Sequence, residues 1–221
     1  MKKAFLFDMD GVLVNSENTW HKYASDFASK LYGEEILSKI GDTTGLTVEH
    51  EYEIAKSYGF KMNLNEFYKK YDEEVKGIYE KTEIVPGLEY FVKNLKEIGF
   101  VIGIVSSSRR PWVNIVLEKI DKPQLFDYSL SLSESNIPSK PSPKGYKKAM
   151  SDLGVNPSTT FILEDSNSGI TAGKKSGAFT IAFTQFLVPG YKQIRADAKA
   201  ASLSEVLEIV KEKLRSEVKI I

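Results

Sequence analysis

Phe5-Leu6-Phe7-Asp8-Met9-Asp10-Gly11-Val12-Leu13-Val14 is an apolar strand that runs into two carboxylates set two residues apart. Residues i and i+2 of an extended strand share a side. Asp8 and Asp10 therefore converge just past the strand's end, where the ligand crevice of an open α/β sheet lies. Gly11 permits the sharp turn that follows. Converging carboxylates repel each other unless a cation or a shared proton lies between them. That cost points to chemistry, although strand ends also carry aspartates as simple turn formers.

Outward from this strand the periodicity changes twice. From about Ser16 to Thr82 it is helical. Trp20, Tyr23, Ala24, Phe27 and Leu31 recur at three- and four-residue steps, as do Tyr52, Ile54, Ala55 and Tyr58, and then Phe67, Tyr71 and Val75. Glycines at 33, 41, 45 and 59 divide this stretch into about four short helices. The remainder alternates short β-rich runs (Val101 to Val105, Tyr128 to Ser131, Thr160 to Leu163, Phe179 to Ala182) with amphipathic helices. Such alternation predicts an α/β fold with a mainly parallel sheet covered on both faces. The expected parts are 1–15 with 83–221 for the sheet-bearing core and 16–82 for an all-helical insert after the first strand.

Composition excludes several classes. Thirty basic and thirty acidic residues give a formal net charge of zero, which draws the chain neither to nucleic acid nor to an anionic membrane. The apolar stretches are too short to span a bilayer, and the N-terminus lacks the pattern of a signal peptide. A cytoplasmic monomer acting on a small molecule is expected. There is no cysteine, hence no disulfide or thiolate chemistry. His21 and His50 are the only histidines, too few for a histidine-rich metal cluster.

Four segments in order resemble the motifs of the haloacid dehalogenase-like hydrolase superfamily: Asp8-Met9-Asp10-Gly11, then Val101 to Val105 ending in Ser106-Ser107-Ser108-Arg109, then Ser139-Lys140-Pro141-Ser142-Pro143, then Phe161 to Gly169 containing Glu164-Asp165. The resemblance covers essentially the whole chain and is nearest to the β-phosphoglucomutase-like and sugar-phosphate phosphatase members. It implies a Rossmann-like three-layer core with a small helical cap.

By that resemblance Asp8 is the nucleophile, forming an aspartyl phosphate, and Asp10 protonates the leaving alcohol and later deprotonates water. Ser106 and Lys140 complete the catalytic set, with Lys140 supplying a compact positive charge for Asp8 and the phosphoryl oxygens. Mg²⁺, a hard cation with oxygen ligands, is implied as cofactor. Asp8, Asp10 through its carbonyl and Asp165 are its expected ligands; Glu164 is either a ligand or an acceptor behind one. Substrate contacts are expected from Gly11, Ser107, Ser108, Arg109 and Asn167 in the core, and from Glu17, Trp20, Thr44, Gly45, Leu46, Thr47 and Lys70 in or beside the cap. The mutase members carry a histidine where this chain has Trp20 and an arginine where it has Val48. The expected function is therefore a magnesium-dependent phosphomonoesterase for a small phosphorylated metabolite, a sugar or polyol phosphate. A phosphosugar mutase is the alternative, and a non-catalytic phosphometabolite-binding regulator a more distant one.

Overall fold

The computed structural model describes residues 2–41, 48–120, 122–134 and 136–218. Two compact units account for the chain: Met1–Asn18 with Thr82–Ile221, and Thr19–Lys81.

In the larger unit, strand β1 (Lys3–Phe7) lies at the centre of a six-stranded sheet with β2 (Phe100–Ser106) and β3 (Tyr128–Ser131) on one side. On the other side are β4 (Thr160–Glu164), β5 (Phe179–Phe183) and β6 (Ala198–Ala200), and every pairing is parallel. The order β3-β2-β1-β4-β5-β6 makes the β1/β4 junction the topological switch point, outside whose carboxyl ends ligands bind in open sheets of this kind.

Both faces of the sheet are buried at its centre, which is why β1, β2, β4 and β5 read as largely apolar runs. Ala4 and Leu6 join Val105, Leu130, Ile162 and residues of α7 (Lys144–Leu153) and α8 (Asn167–Ser176) in one buried cluster. Phe5 and Phe7, pointing the opposite way, meet Phe91 of α5 (Leu88–Glu97) with ring centroids 5.1 and 5.8 Å away. The helix α6 (Arg110–Ile120) follows β2, and α9 (Leu203–Val218) closes the chain. β6 was not expected; its Ala198-Lys199-Ala200 carries no β-branched or aromatic signal.

The smaller unit holds most of α1 (Ser16–Tyr32), then α2 (Glu34–Ile40), α3 (Val48–Ser57) and α4 (Leu64–Lys81). Its centre is aromatic: Phe67 lies 5.1 Å from Tyr52, 5.8 Å from Phe60 and 5.6 Å from Tyr71 between ring centroids. Beside these rings the buried Glu51 carboxylate accepts hydrogen bonds from the Tyr32 hydroxyl at 2.7 Å and the Tyr71 hydroxyl at 3.4 Å.

The first turn of α1 belongs to the larger unit. Ser16 is fully buried and its Oγ accepts the Gly11 N–H at 3.2 Å, while Asn18 Nδ2 donates to the Phe186 carbonyl at 3.1 Å. The two chain crossings are tied to each other by Asn15 N–H to the Glu83 carbonyl and Val85 N–H to the Leu13 carbonyl, both 2.9 Å.

Candidate active site

β1 and β4 deliver three carboxylates to one place. Asp8, Glu164 and Asp165 are all buried, and each offers an oxygen within 4.8 Å of the others. The Asp8 N–H still donates to the Leu163 carbonyl at 3.0 Å, so Asp8 prolongs the ladder while its side chain leaves the sheet. Two glycines make the approach possible. A Cβ on Gly11, whose φ is +71°, would fall 1.9 Å from Asp165 Oδ2, and one on Gly169 would fall 1.9 Å from Glu164 Oε2. Ser166 caps α8 by accepting the Gly169 N–H at 3.0 Å. Glu164 and Asp165 thus sit at a helix N-terminus, where negative charge is favoured.

Lys140 is the counter-charge. Its ammonium lies 2.5 Å from Asp8 Oδ1 and 2.7 Å from Glu164 Oε1, and its side chain is almost wholly buried. Burial opposes the charged form of a lysine, but Asp8 and Glu164 outweigh it and hold the amine above its ordinary range. Glu164, completely buried, also accepts the Tyr146 hydroxyl at 2.6 Å. Burial and the neighbouring Asp8 push its carboxyl up to about 7 against the pull of Lys140. Asp165 is raised as well, by burial, Asp8 and Glu164, and has no ion pair among the described residues.

Above this cluster a cavity of about 270 Å³ is lined by Asp8, Asp10, Glu17, Ser106, Ser107, Ser108, Lys140, Asp165, Ser166, Ser168, Leu187, Val188 and Tyr191. Asp10 is oriented by Ser108, whose hydroxyl donates to Oδ2 at 2.6 Å. Ser108 is itself fixed: its N–H donates to Ser106 Oγ at 3.0 Å, and its carbonyl accepts the Ser131 hydroxyl at 2.8 Å. The Ser106 hydroxyl, having accepted that bond, retains its own proton for a ligand oxygen.

The expected site residues thus sort by position. Asp8, Asp10, Glu17, Ser106, Ser107, Ser108, Lys140 and Asp165 meet at the cavity, with Gly11 and Glu164 directly behind Asp165 and Lys140. Arg109 does not line it; its carbonyl accepts the Trp112 and Val113 N–H groups at the start of α6. Asn167 does not line it either. Its amide donates to the Lys192 carbonyl at 3.0 Å and accepts the Ile194 N–H at 2.7 Å. Trp20 and Lys70 lie in the helical unit, where Trp20 meets Phe27 edge-on at 5.1 Å. Thr44, Gly45, Leu46 and Thr47 fall outside the described residues. Sequence reasoning missed Tyr146, whose helical spacing marks it as core; its signal is that a buried tyrosine hydroxyl needs a partner. It also missed Leu187, Val188 and Tyr191, which line the cavity from a segment without periodicity.

A family model described as haloacid dehalogenase-like hydrolase matches residues 5–183, a span holding all four motifs. The chain belongs to that family. Among its relatives, hexitol phosphatase B of Escherichia coli K12 is 30% identical over 214 residues, covering 92% of this chain and 93% of that protein. A phosphorylated carbohydrates phosphatase of Thermotoga maritima is 26% identical, covering 96% of this chain and all of that one. The solved structure of a β-phosphoglucomutase from Clostridium difficile has the same fold at a TM-score of 0.73, with 22% identity and 99% of both chains covered. In this haloacid dehalogenase-like hydrolase no helix of the described residues is long and apolar enough to cross a membrane.

Proposed function

We propose that this chain hydrolyses the phosphate monoester of a small metabolite, a sugar or polyol phosphate, through an aspartyl-phosphate intermediate on Asp8. One observation carries the reading: a buried aspartate pinned on Oδ1 by a buried lysine, with a second aspartate held by Ser108 at the mouth of the same cavity. The named activities of the two phosphatase relatives support the substrate class.

Four carboxylates and one ammonium line the cavity, an acidic place for a phosphate dianion. A divalent cation resolves that conflict, and the donors fit Mg²⁺: all are oxygens, and neither thiol nor imidazole is among them. Asp8, Asp165 and the Asp10 carbonyl would hold it. Glu164 is committed to Lys140 and Tyr146 and acts from behind. Bound there, Mg²⁺ supplies positive charge that neutralises the phosphoryl oxygens.

This chain's own residues do the rest. Lys140 orients the Asp8 carboxylate and offsets charge in the phosphoryl group. As Asp8 forms its oxygen–phosphorus bond, the ester oxygen–phosphorus bond breaks and Asp10 gives its proton to the departing alkoxide. Water then attacks phosphorus and passes a proton to Asp10, which frees Asp8 and inorganic phosphate. Ser106 and the Ser107 N–H bind phosphoryl oxygens as a small anion nest. The choice of alcohol is assigned to the helical unit Thr19–Lys81.

Phosphate release from a panel of sugar and polyol phosphates tests this. Activity should vanish in chelator and return with Mg²⁺. Asp8→Asn should abolish turnover, and Asp10→Asn should lower it by about 10²–10⁴-fold. Substantial turnover by Asp8→Asn would rule out the covalent route.

A further inference from the structure

Gln193 lies between β5 and β6, and its side-chain amide donates twice: to the Asp165 carbonyl at 2.8 Å and to the Phe183 carbonyl at 2.7 Å. In the β4–β5 ladder Glu164 stands opposite Ala182, so Asp165 and Phe183 are the next pair in register, beyond the last rung. One side-chain NH₂ therefore bridges the two strands at the point where Asp165 turns its carboxylate into the cavity. The other end of the amide gains nothing. Gln193 Oε1 is buried and has no hydrogen-bond partner among the described residues. An unsatisfied buried acceptor is costly. The amide cannot turn over to relieve it, since two carbonyls can be met only by its donors.

The flanking residues are stitched to the same turn. The Tyr191 hydroxyl accepts the Asn167 N–H at 2.9 Å, and Asn167 in return binds the Lys192 carbonyl and the Ile194 N–H. Residues on both sides of Gln193 are thereby anchored to the turn that begins α8, and Tyr191 from the same segment lines the cavity with Leu187 and Val188.

We propose that Gln193 is a positioning residue for the cation site, holding the Asp165 backbone so that its carboxylate meets a divalent cation from a fixed direction. This rests on the reading of Asp165 as a metal ligand. Partners that orient a ligand are typically worth about 10–100-fold in metal affinity.

Gln193→Met keeps the length and removes both donors. Thr184→Val serves as the comparison, because Thr184 Oγ1 bonds the Ala200 carbonyl at 3.2 Å in the same inter-strand segment without touching Asp165. Each protein is titrated with Mg²⁺ in the absence of substrate, reading the rise in melting temperature, and again by phosphate release. Gln193→Met should need about 10–100-fold more Mg²⁺ for half-saturation in both assays, while Thr184→Val lowers only the metal-free melting temperature. An unchanged Mg²⁺ response in Gln193→Met overturns the proposal, and so does an equal loss in both variants, which would mark general loosening of the segment. If Gln193→Met does not fold, Gln193→Asn, one methylene too short to reach both carbonyls, is read by the same criteria. A native protein indifferent to Mg²⁺ in either assay removes the metal reading itself, and with it this inference.

Discussion

Lys140 and Tyr146 show what a buried charge requires at the scale of single residues. A buried ion pair is sustained only when its remaining hydrogen-bonding capacity is met, and here Glu164 Oε1 takes both the Lys140 ammonium and the Tyr146 hydroxyl. Removing that hydroxyl leaves the carboxylate one donor short in a place water does not reach. Tyr146→Phe is therefore expected to lower stability by about 1.5–3 kcal/mol, the range for a hydrogen bond to a charged group. Urea denaturation without Mg²⁺ measures it, and a loss near zero would show the bond to be dispensable. The site is unevenly legible in the sequence for a related reason. Asp8 and Asp10 announce themselves, because two carboxylates at i and i+2 on an apolar strand have few structural uses. Tyr146 sits at a spacing that any core aromatic could occupy, and its chemistry lies in a contact with Glu164, 18 residues away. Asn167 was legible as a motif residue but not in its task, since Lys192 and Ile194 have no pattern that ties them to it.

Among elements, the strands were legible where burial on both faces makes them mostly apolar: β1, β2, β4 and β5 announce themselves as short runs between helices. β6 and the segment from Thr184 to Asp197 were not, because their order comes from side-chain bonds to distant backbone groups, such as Gln193 to Phe183 and Asp165. The helices of the small unit follow their aromatic spacing, yet α3 brings Glu51 into that aromatic core. Burial raises its carboxyl above the ordinary value despite the bonds from Tyr32 and Tyr71. A carboxylic acid raised on folding binds more protons folded than unfolded between its unfolded and folded values, so stability falls as pH rises through that window. The window opens at about 4.3, the ordinary glutamate value, and extends upward to the raised one. Glu51→Gln removes this titration. The melting temperature of Glu51→Gln minus that of the native protein should therefore grow as pH rises from 4.5, by a few degrees for each ~1 kcal/mol involved. A constant difference across pH 4.5 to 8 would show that Glu51 does not titrate in this way.

For the molecule as a whole, the open choice is between water and a second sugar hydroxyl as acceptor of the phosphoryl group. A mutase has to hold one phosphate while another is transferred, which calls for a second strong anion site, and arginine is the side chain best suited to grip a phosphate in two places. This chain has four arginines, at 109, 110, 195 and 215, and none in the unit Thr19–Lys81. Arg110 is spent on Glu134 and Ser129. Val48, which begins α3, is buried and apolar. Lysines of the helical unit are partly engaged in exposed pairs such as Lys30 with Glu74 and Lys39 with Glu35, and a lysine grips a phosphate as a point charge without the fixed fork of arginine. Water should therefore outcompete a second hydroxyl. With β-glucose 1-phosphate and a trace of the sugar bisphosphate, inorganic phosphate is expected to account for nearly all turnover, and the bisphosphate should not accelerate formation of glucose 6-phosphate. Following both products over time decides the matter. Glucose 6-phosphate appearing faster than free phosphate would make this chain a mutase, and would turn attention to Lys70 as the cation holding the second phosphate.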